Sequence, residues 1–196
     1  MKAIQFLKDS SEAGSAHEVE LPIPSPDGHD ILVKVEAVGL NPVDYKVRPK
    51  EGDDSKTLGF DAAGVVAECG NDASLFQKGD LVYYAGDVTR PGSNAEYQLV
   101  DERIVGTRPG SLDTATSAAL PLTALTAWES LFHRLLIRLD APEQNEGKTL
   151  LIIGGAGGVG SMAIQLARLA GLTVIATASR EESADWCRKL GVDHII

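Results

Sequence analysis

Five glycines crowd into seven residues, Gly154-Gly155-Ala156-Gly157-Gly158-Val159-Gly160, directly after the apolar run Leu150-Leu151-Ile152-Ile153. Gly155, Gly157 and Gly160 fit the pattern GxGxxG. A pyrophosphate needs glycine there: the turn is tight, a Cβ would hold the backbone off the anion, and strand and helix must pack closely. Gly158, Val159 and Gly160 would open a helix whose N-terminal amides face the phosphates. Glycines also serve ordinary tight turns, but here a helical apolar pattern follows at 161–171 and a second strand at 173–178, TVIATA. The segment therefore reads as a dinucleotide site in a strand-loop-helix-strand unit.

Enzymes that use NAD place an Asp or Glu about 20 residues beyond the glycines to bind the ribose 2′-hydroxyl. This chain has Ala178-Ser179-Arg180 at that point. The hydroxyl of Ser179 and the forked, permanently charged guanidinium of Arg180 suit a 2′-phosphate, which favours NADPH. Two other readings stand beside it: Glu181 or Glu182 bends back to the ribose, or Arg180 merely caps a solvated helix start.

The elements that must hold this loop fall into two compositional blocks. Up to about residue 108 the chain reads as short strands, KAIQF, ILVKVEAVGL, GVVAEC, DLVYYA and AEYQLV, separated by turn clusters such as PIPSPDG and RPGSN, so an all-β domain is expected. Ser10 to Ser15 reads as a surface turn. From Leu112 onward apolar residues recur at helical spacing, interrupted by Pro121, and the polar connection APEQNEG leads into the glycine unit. The predicted division is residues 1–122 and residues 123–196. A full doubly wound sheet has strand order 3-2-1-4-5-6, whereas two strands and the opening of a third, at 192–196, are present here. The nucleotide domain is thus expected to be incomplete, lacking its C-terminal half.

Composition excludes several function classes. The 196 residues are 43% hydrophobic and 23% charged, a globular balance. A formal net charge of -10, with Arg and Lys scattered singly, argues against nucleic acid as a partner. The N-terminus has no apolar signal region and no stretch approaches a membrane span, so a cytoplasmic protein with no membrane partner is expected. Cys69 and Cys187 stand far apart, which points to buried structural cysteines, and His17, His29, His133 and His194 show no metal-ligand spacing. Trp128 and Phe132, at i and i+4, are assigned to core packing.

Residues 147–168, GKTLLIIGGAGGVGSMAIQLAR, resemble the signature of the quinone oxidoreductase/zeta-crystallin family of medium-chain dehydrogenases/reductases, with Gln165 and Arg168 at the expected distance beyond the glycines. Upstream, GLNPVDYKVR, LGFDAAGVV, KGDLVYYAG, SNAEYQLV and AALPLTALTAW follow in that family's order, and YYAGDVTRPGSNAEYQLVDERIVG with GLTVIATASR is most similar to the bacterial subgroup labelled zinc-type alcohol dehydrogenase-like. The resemblance implies a GroES-like β-barrel followed by a Rossmann domain, a full-length homodimer, and NADPH-dependent hydride transfer to a quinone or an α,β-unsaturated carbonyl. A small-molecule substrate, quinone, enone or aldehyde, is the implied partner.

Zinc-using relatives carry a Cys in the early loop, a GHE motif and often four clustered cysteines. Here the loop reads Gly39-Leu40-Asn41-Pro42-Val43-Asp44 and the second motif Gly59-Phe60-Asp61, so no metal is expected, and Asp61 is expected to pair with a basic residue. By resemblance Asn41 faces nicotinamide and substrate, where its amide would bond the developing negative oxygen, Asp44 orients neighbours, and Thr126 contacts the cofactor near its nicotinamide-side phosphate. Tyr45 is a proton donor or a packing residue; relatives carry their tyrosine one position later, where this chain has Lys46. A turn at Asn41-Pro42 and a helix-surface hydroxyl at Thr126 are the plainer readings. Three rival functions remain: a zinc alcohol dehydrogenase, an acyl-CoA or polyketide enoyl reductase, and a non-enzymatic NADPH-binding protein.

Overall fold

The computed structural model describes residues 1–6, 16–47 and 54–196. The turn expected at Ser10 to Ser15 lies outside them, as does Arg48. The described residues divide into two compact units, Met1–Leu122 and Thr123–Ile196.

The first unit is built from antiparallel strands. β1 (Lys2–Phe6) pairs with β2 (Ala16–Glu20) and with β4 (Lys56–Thr57). A five-stranded sheet runs β7-β3-β5-β6-β8, with β3 at Asp30–Gly39, β5 at Asp61–Cys69, β6 at Leu81–Ala85, β7 at Tyr97–Asp101 and β8 at Val105–Thr107. The sheets of this unit are open along the pairings described. Alternation sends Ile31 and Val33 of β3 into a core with Ala62, Val66, Val82, Tyr84 and Val100. Tyr84, buried by its ring, donates to the buried Gln98 Oε1 at 2.9 Å, since a hydroxyl in a core needs a partner.

At the end of β3 the register pairs Gly39 with Asp61. A side chain at Gly39 would run into the carbonyl oxygen of Ala118. Glycine there lets the short helix α2 (Thr114–Ala118), capped by the Asp113 carboxylate on Thr116 N at 2.7 Å, lie close over the strand end. The chain then passes through Leu40 and Asn41 into the one-turn helix α1 (Pro42–Lys46). Pro121 begins a separate helix, α3 (Pro121–Trp128), in keeping with proline's fitness for a first helical position. The helix passes into a π-helical turn at Glu129–Arg134, closed by Leu135 N donating to Ser130 O.

The second unit is a parallel sheet of order β11-β10-β9: β9 Thr149–Ile152, β10 Thr173–Ala176 and β11 His194–Ile195, with α4 (Gly158–Leu169) and α5 (Glu181–Lys189) as crossovers. It is the 3-2-1 half of a Rossmann sheet. Ile164, Ala167, Leu172, Val174, Ala176 and Cys187 fill the core between sheet and helices. Among the described residues no helix is long and apolar enough to cross a membrane.

One polar residue inside the connection APEQNEG is fully buried. Asn145 Nδ2 donates to Arg138 O at 2.6 Å and to Ala170 O at 2.8 Å, fastening the connection to the end of α4. Asn145→Ala strands two carbonyls and opens a gap, so it should lower stability by about 1–3 kcal/mol. Urea unfolding followed by tryptophan emission measures it, and an unchanged midpoint would show that the connection is held some other way.

Candidate functional site

The glycine segment is a loop between β9 and α4, pinned to the end of β10. Gly154, at φ 72°, turns the chain; its N–H donates to Thr177 Oγ1 at 2.8 Å, and Gly155 N to Thr177 O at 3.1 Å. A Cβ on Gly155 would stand 2.7 Å from the Ala176 methyl and 2.9 Å from Cys187 Sγ, and one on Gly160 would strike the carbonyl oxygens of Gly154 and Gly155. These two glycines let strand and helices pack. At Gly157 a Cβ would meet one atom, Gly154 O at 3.3 Å, so that face is open. Gly157 caps α4 without a side chain, leaving the amides of Gly158, Val159 and Gly160 without helical partners, a ready anion site.

The loop opens on a cleft of about 600 Å³ whose polar lining is Thr177, Ser179, Arg180 and Ser183 beside Gly154 and Gly157. Arg180 occupies the N-cap position of α5 in extended conformation, where a guanidinium, having no acceptor, cannot cap the helix amides. Glu181, one of the two acidic rivals for a ribose beside Glu182, accepts from Arg188 Nη1 at 2.7 Å. Thr177 and Ser183 were not singled out from sequence. Thr177 has a local signal, a hydroxyl where the second strand runs out; Ser183 needs the first turn of α5 to bring it to the cleft.

A second cluster lies in the first unit, where β3 and β5 end together. Asn41 N donates to Asp44 Oδ2 at 2.6 Å and Asp44 N to Asn41 O at 3.0 Å, closing the first turn of α1. Asn41 Nδ2 donates to Asp61 Oδ2 at 2.8 Å, while Asp61 Oδ1 accepts from Leu122 N at 2.9 Å, in the first turn of α3. The sequence expectation that Asp61 pairs with a basic residue is thus corrected: backbone register places it against an amide side chain and a helix start, and both donors are neutral. Asp61 is fully buried. Burial pushes its carboxyl up to about 6, helped by the charge of Asp44 and opposed by the hydrogen bonds from Asn41 and Leu122. Asp44 Oδ1 is buried with no partner among the described residues.

The donor set does not fit zinc. Both Asp61 oxygens accept N–H groups, and Phe60, where metal-using relatives place histidine, is 2% exposed in the core. Among the described residues no three His, Cys, Asp or Glu side chains cluster to hold a metal. Tyr45 is 59% exposed, and Lys46 beside it is exposed. Thr126 is exposed on α3.

Trp128 and Phe132 pack edge to face at 4.6 Å, but Trp128 remains 41% exposed above a surface cleft. The core assignment holds for neither in full: α3 runs along the surface there, and only Phe132 leans on the second unit's core. Cys187 is buried and Cys69 half-buried, its thiol donating to Phe76 O. His29 Nδ1 lies 3.2 Å from the buried carboxylate of Glu102, which also accepts from Ser74 N and Leu75 N.

Known proteins carry both units in the same order along the chain. Residues 27–120 match the alcohol dehydrogenase GroES-like domain, and residues 158–196 match the zinc-binding dehydrogenase family. A zinc-type alcohol dehydrogenase-like protein of Staphylococcus aureus is 48% identical over 199 residues, covering 100% of this chain and 60% of that protein. A chloroplastic quinone-oxidoreductase homolog of Spinacia oleracea is 35% identical over 202 residues, again with 100% and 60% covered. The crystal structure of Escherichia coli quinone oxidoreductase complexed with NADPH superposes with a TM-score of 0.82 at 26% identity, covering 100% of this chain and 58% of that one. The chain therefore spans about 60% of the length of the curated relatives it matches.

The buried carboxyl has a measurable signature. With its folded value raised to about 6 from an ordinary 3.8, Asp61 favours the folded state when protonated. That contribution is fully present below about pH 4, declines as pH rises, and is gone above about pH 6, a change on the order of 3 kcal/mol. The stability difference between the native chain and Asp61→Asn should fall by that order between about pH 4 and about pH 7. Parallel pH profiles for the two would show that Asp61 ionises as freely folded as unfolded.

Proposed function

The chain belongs to the medium-chain dehydrogenase/reductase superfamily, and from that premise we propose that it is the substrate- and cofactor-binding portion of a cytoplasmic, homodimeric NADPH-dependent reductase that acts on quinones or α,β-unsaturated carbonyls without zinc. In this reading residues 1–122 form the catalytic domain and residues 123–196 the opening of the nucleotide domain. The observation that carries it is the glycine cradle with an open Gly157 face on a cleft that Ser179 and Arg180 also line.

The amides of Gly158, Val159 and Gly160 take the pyrophosphate, and the Gly155 and Gly157 positions let it approach the backbone. Ser179 and Arg180 take the 2′-phosphate, with charge-assisted bonds that a 2′-hydroxyl cannot match. Thr126 lies on the helix that serves the nicotinamide end. Bound NADPH supplies a hydride; the protein supplies position and polarity. Asn41, steadied by Asp61 and Asp44, keeps one N–H of its amide for the carbonyl oxygen on which charge develops. Tyr45, exposed beside it, presents a hydroxyl able to deliver a proton. No step needs a metal, and the disposition of Phe60 and Asp61 supports a metal-free reading.

Arg180→Ala should weaken NADPH binding by on the order of 1.5–3 kcal/mol and leave NADH nearly unchanged. Fluorescence titration with both cofactors decides it; equal losses would remove the 2′-phosphate assignment. Turnover with NADPH against a panel of quinones, enones and aldehydes tests the substrate class. Elemental analysis after dialysis against a chelator should find no stoichiometric zinc, and a retained equivalent would overturn the metal-free reading.

A further inference from the structure

An ionised carboxylate can only accept hydrogen bonds, whereas an asparagine carries its donor and its acceptor on opposite sides of one planar amide. The two meet at the end of β3, where Asn41 Nδ2 lies 2.8 Å from Asp61 Oδ2. With Nδ2 drawn inward, the amide's Oδ1 is turned away from Asp61. We infer that Asp61 is a positioning residue that sets the hydrogen-bonding polarity of Asn41: while ionised it holds Nδ2, and on taking up a proton it reverses the amide so that Oδ1 faces inward as acceptor. The effect on catalysis rests on the reading of Asn41 given above; the amide orientation itself does not.

The surroundings leave the carboxyl little other choice. Its second oxygen, Oδ1, is taken by Leu122 N at 2.9 Å. β3 presents Gly39 to it across the ladder and β6 presents Ala85, neither with a polar side chain. Ser93 Oγ reaches the Asp61 backbone carbonyl, not its carboxyl. Among the described residues the other charged group facing it is Asp44 on α1, whose Oδ2 is held by Asn41 N. A proton arriving on Asp61 Oδ2 turns that atom from acceptor to donor. Asn41 Nδ2 is then a donor facing a donor, and half a turn about the terminal torsion of Asn41 replaces it with a carbonyl oxygen. No bond is made or broken apart from the transferred solvent proton. Burial holds the carboxyl near 6, which brings the exchange into an accessible range.

Proton and nitrogen resonances of the Asn41 side-chain amide, followed in the whole chain between about pH 4 and about pH 8, read the orientation directly. Above the transition one Nδ2 proton should be shifted downfield by its bond to the carboxylate; below it that shift should collapse, with the same midpoint as the Asp61 carboxyl carbon. Asp61→Asn should abolish the transition. Should that variant fail to fold, Asn41→Ala decides, because removal of the Nδ2 donor must move the Asp61 midpoint above 6. Amide signals that stay put, a transition that survives in Asp61→Asn, or an Asp61 midpoint indifferent to Asn41→Ala would each overturn the inference. In turnover, the same midpoint should appear in kcat and not in KM for NADPH, and Asp61→Glu should keep it where Asp61→Asn does not. Absence of any turnover would fall on the proposed function alone, since the resonances report on Asp61 without it.

Discussion

A carboxylate that water cannot reach must be supplied with hydrogen-bond donors by the chain itself, and in the first unit that requirement falls on Asp61. Its two donors come from residues 20 and 61 positions away in sequence, on the loop after β3 and in the first turn of α3. The β3–β5 register makes this possible by setting Gly39 opposite Asp61, and the missing side chain at Gly39 admits α2 over the same strand end. A slip of one residue in that ladder would turn Asp61 to the opposite face and leave both donors without it. Loop, helix start and strand end are therefore fixed together by one buried group, and that group tolerates no partial solution.

The second unit solves the opposite problem. Its functional face must leave donors without partners so that an anion can take them. Gly157 ends the loop without a capping side chain, and Thr177 anchors the preceding turn from beside the neighbouring strand, so Gly158 and Val159 at the start of α4 stay exposed on a rigid support. Rigidity comes from packing: Gly155 lies against Ala176 and Cys187, and Gly160 against the loop's own carbonyls.

The glycine loop, the strand-helix-strand unit around it and the change from strands to helices were legible in the sequence because each rests on neighbours within a few residues. Pro121, read as an interruption of the helical pattern, begins α3. β2, β4 and β8 were not legible; they are short, carry little alternation, and exist through partners far along the chain. Asn145 sits in a segment whose composition reads as solvated loop, yet it is buried because two carbonyls distant in sequence converge on it. The Asn41–Asp61 bond failed to announce itself for a related reason. Type and spacing suggested a charged partner for Asp61, and only the ladder register shows that a neutral amide arrives first. Resemblance located Asn41, Asp44 and Tyr45 as a group, but the direction in which the Asn41 amide points belongs to the geometry.

The space shared by Gly155, Ala176 and Cys187 has a meaning for how such a chain can change. A strand alanine and a helix cysteine of one core cluster both border the space a side chain at the loop glycine would fill. Growth at any of the three has to be matched by shrinkage at another, because close-packed interiors absorb added atoms only through displacement. Alanine at position 155 would need room made at both 176 and 187, since its Cβ would stand 2.7 Å from the Ala176 methyl and 2.9 Å from Cys187 Sγ. The three positions thus behave as a single inherited unit: a change at one becomes admissible only on a background already altered at another, so the order in which substitutions arrive matters as much as their identity.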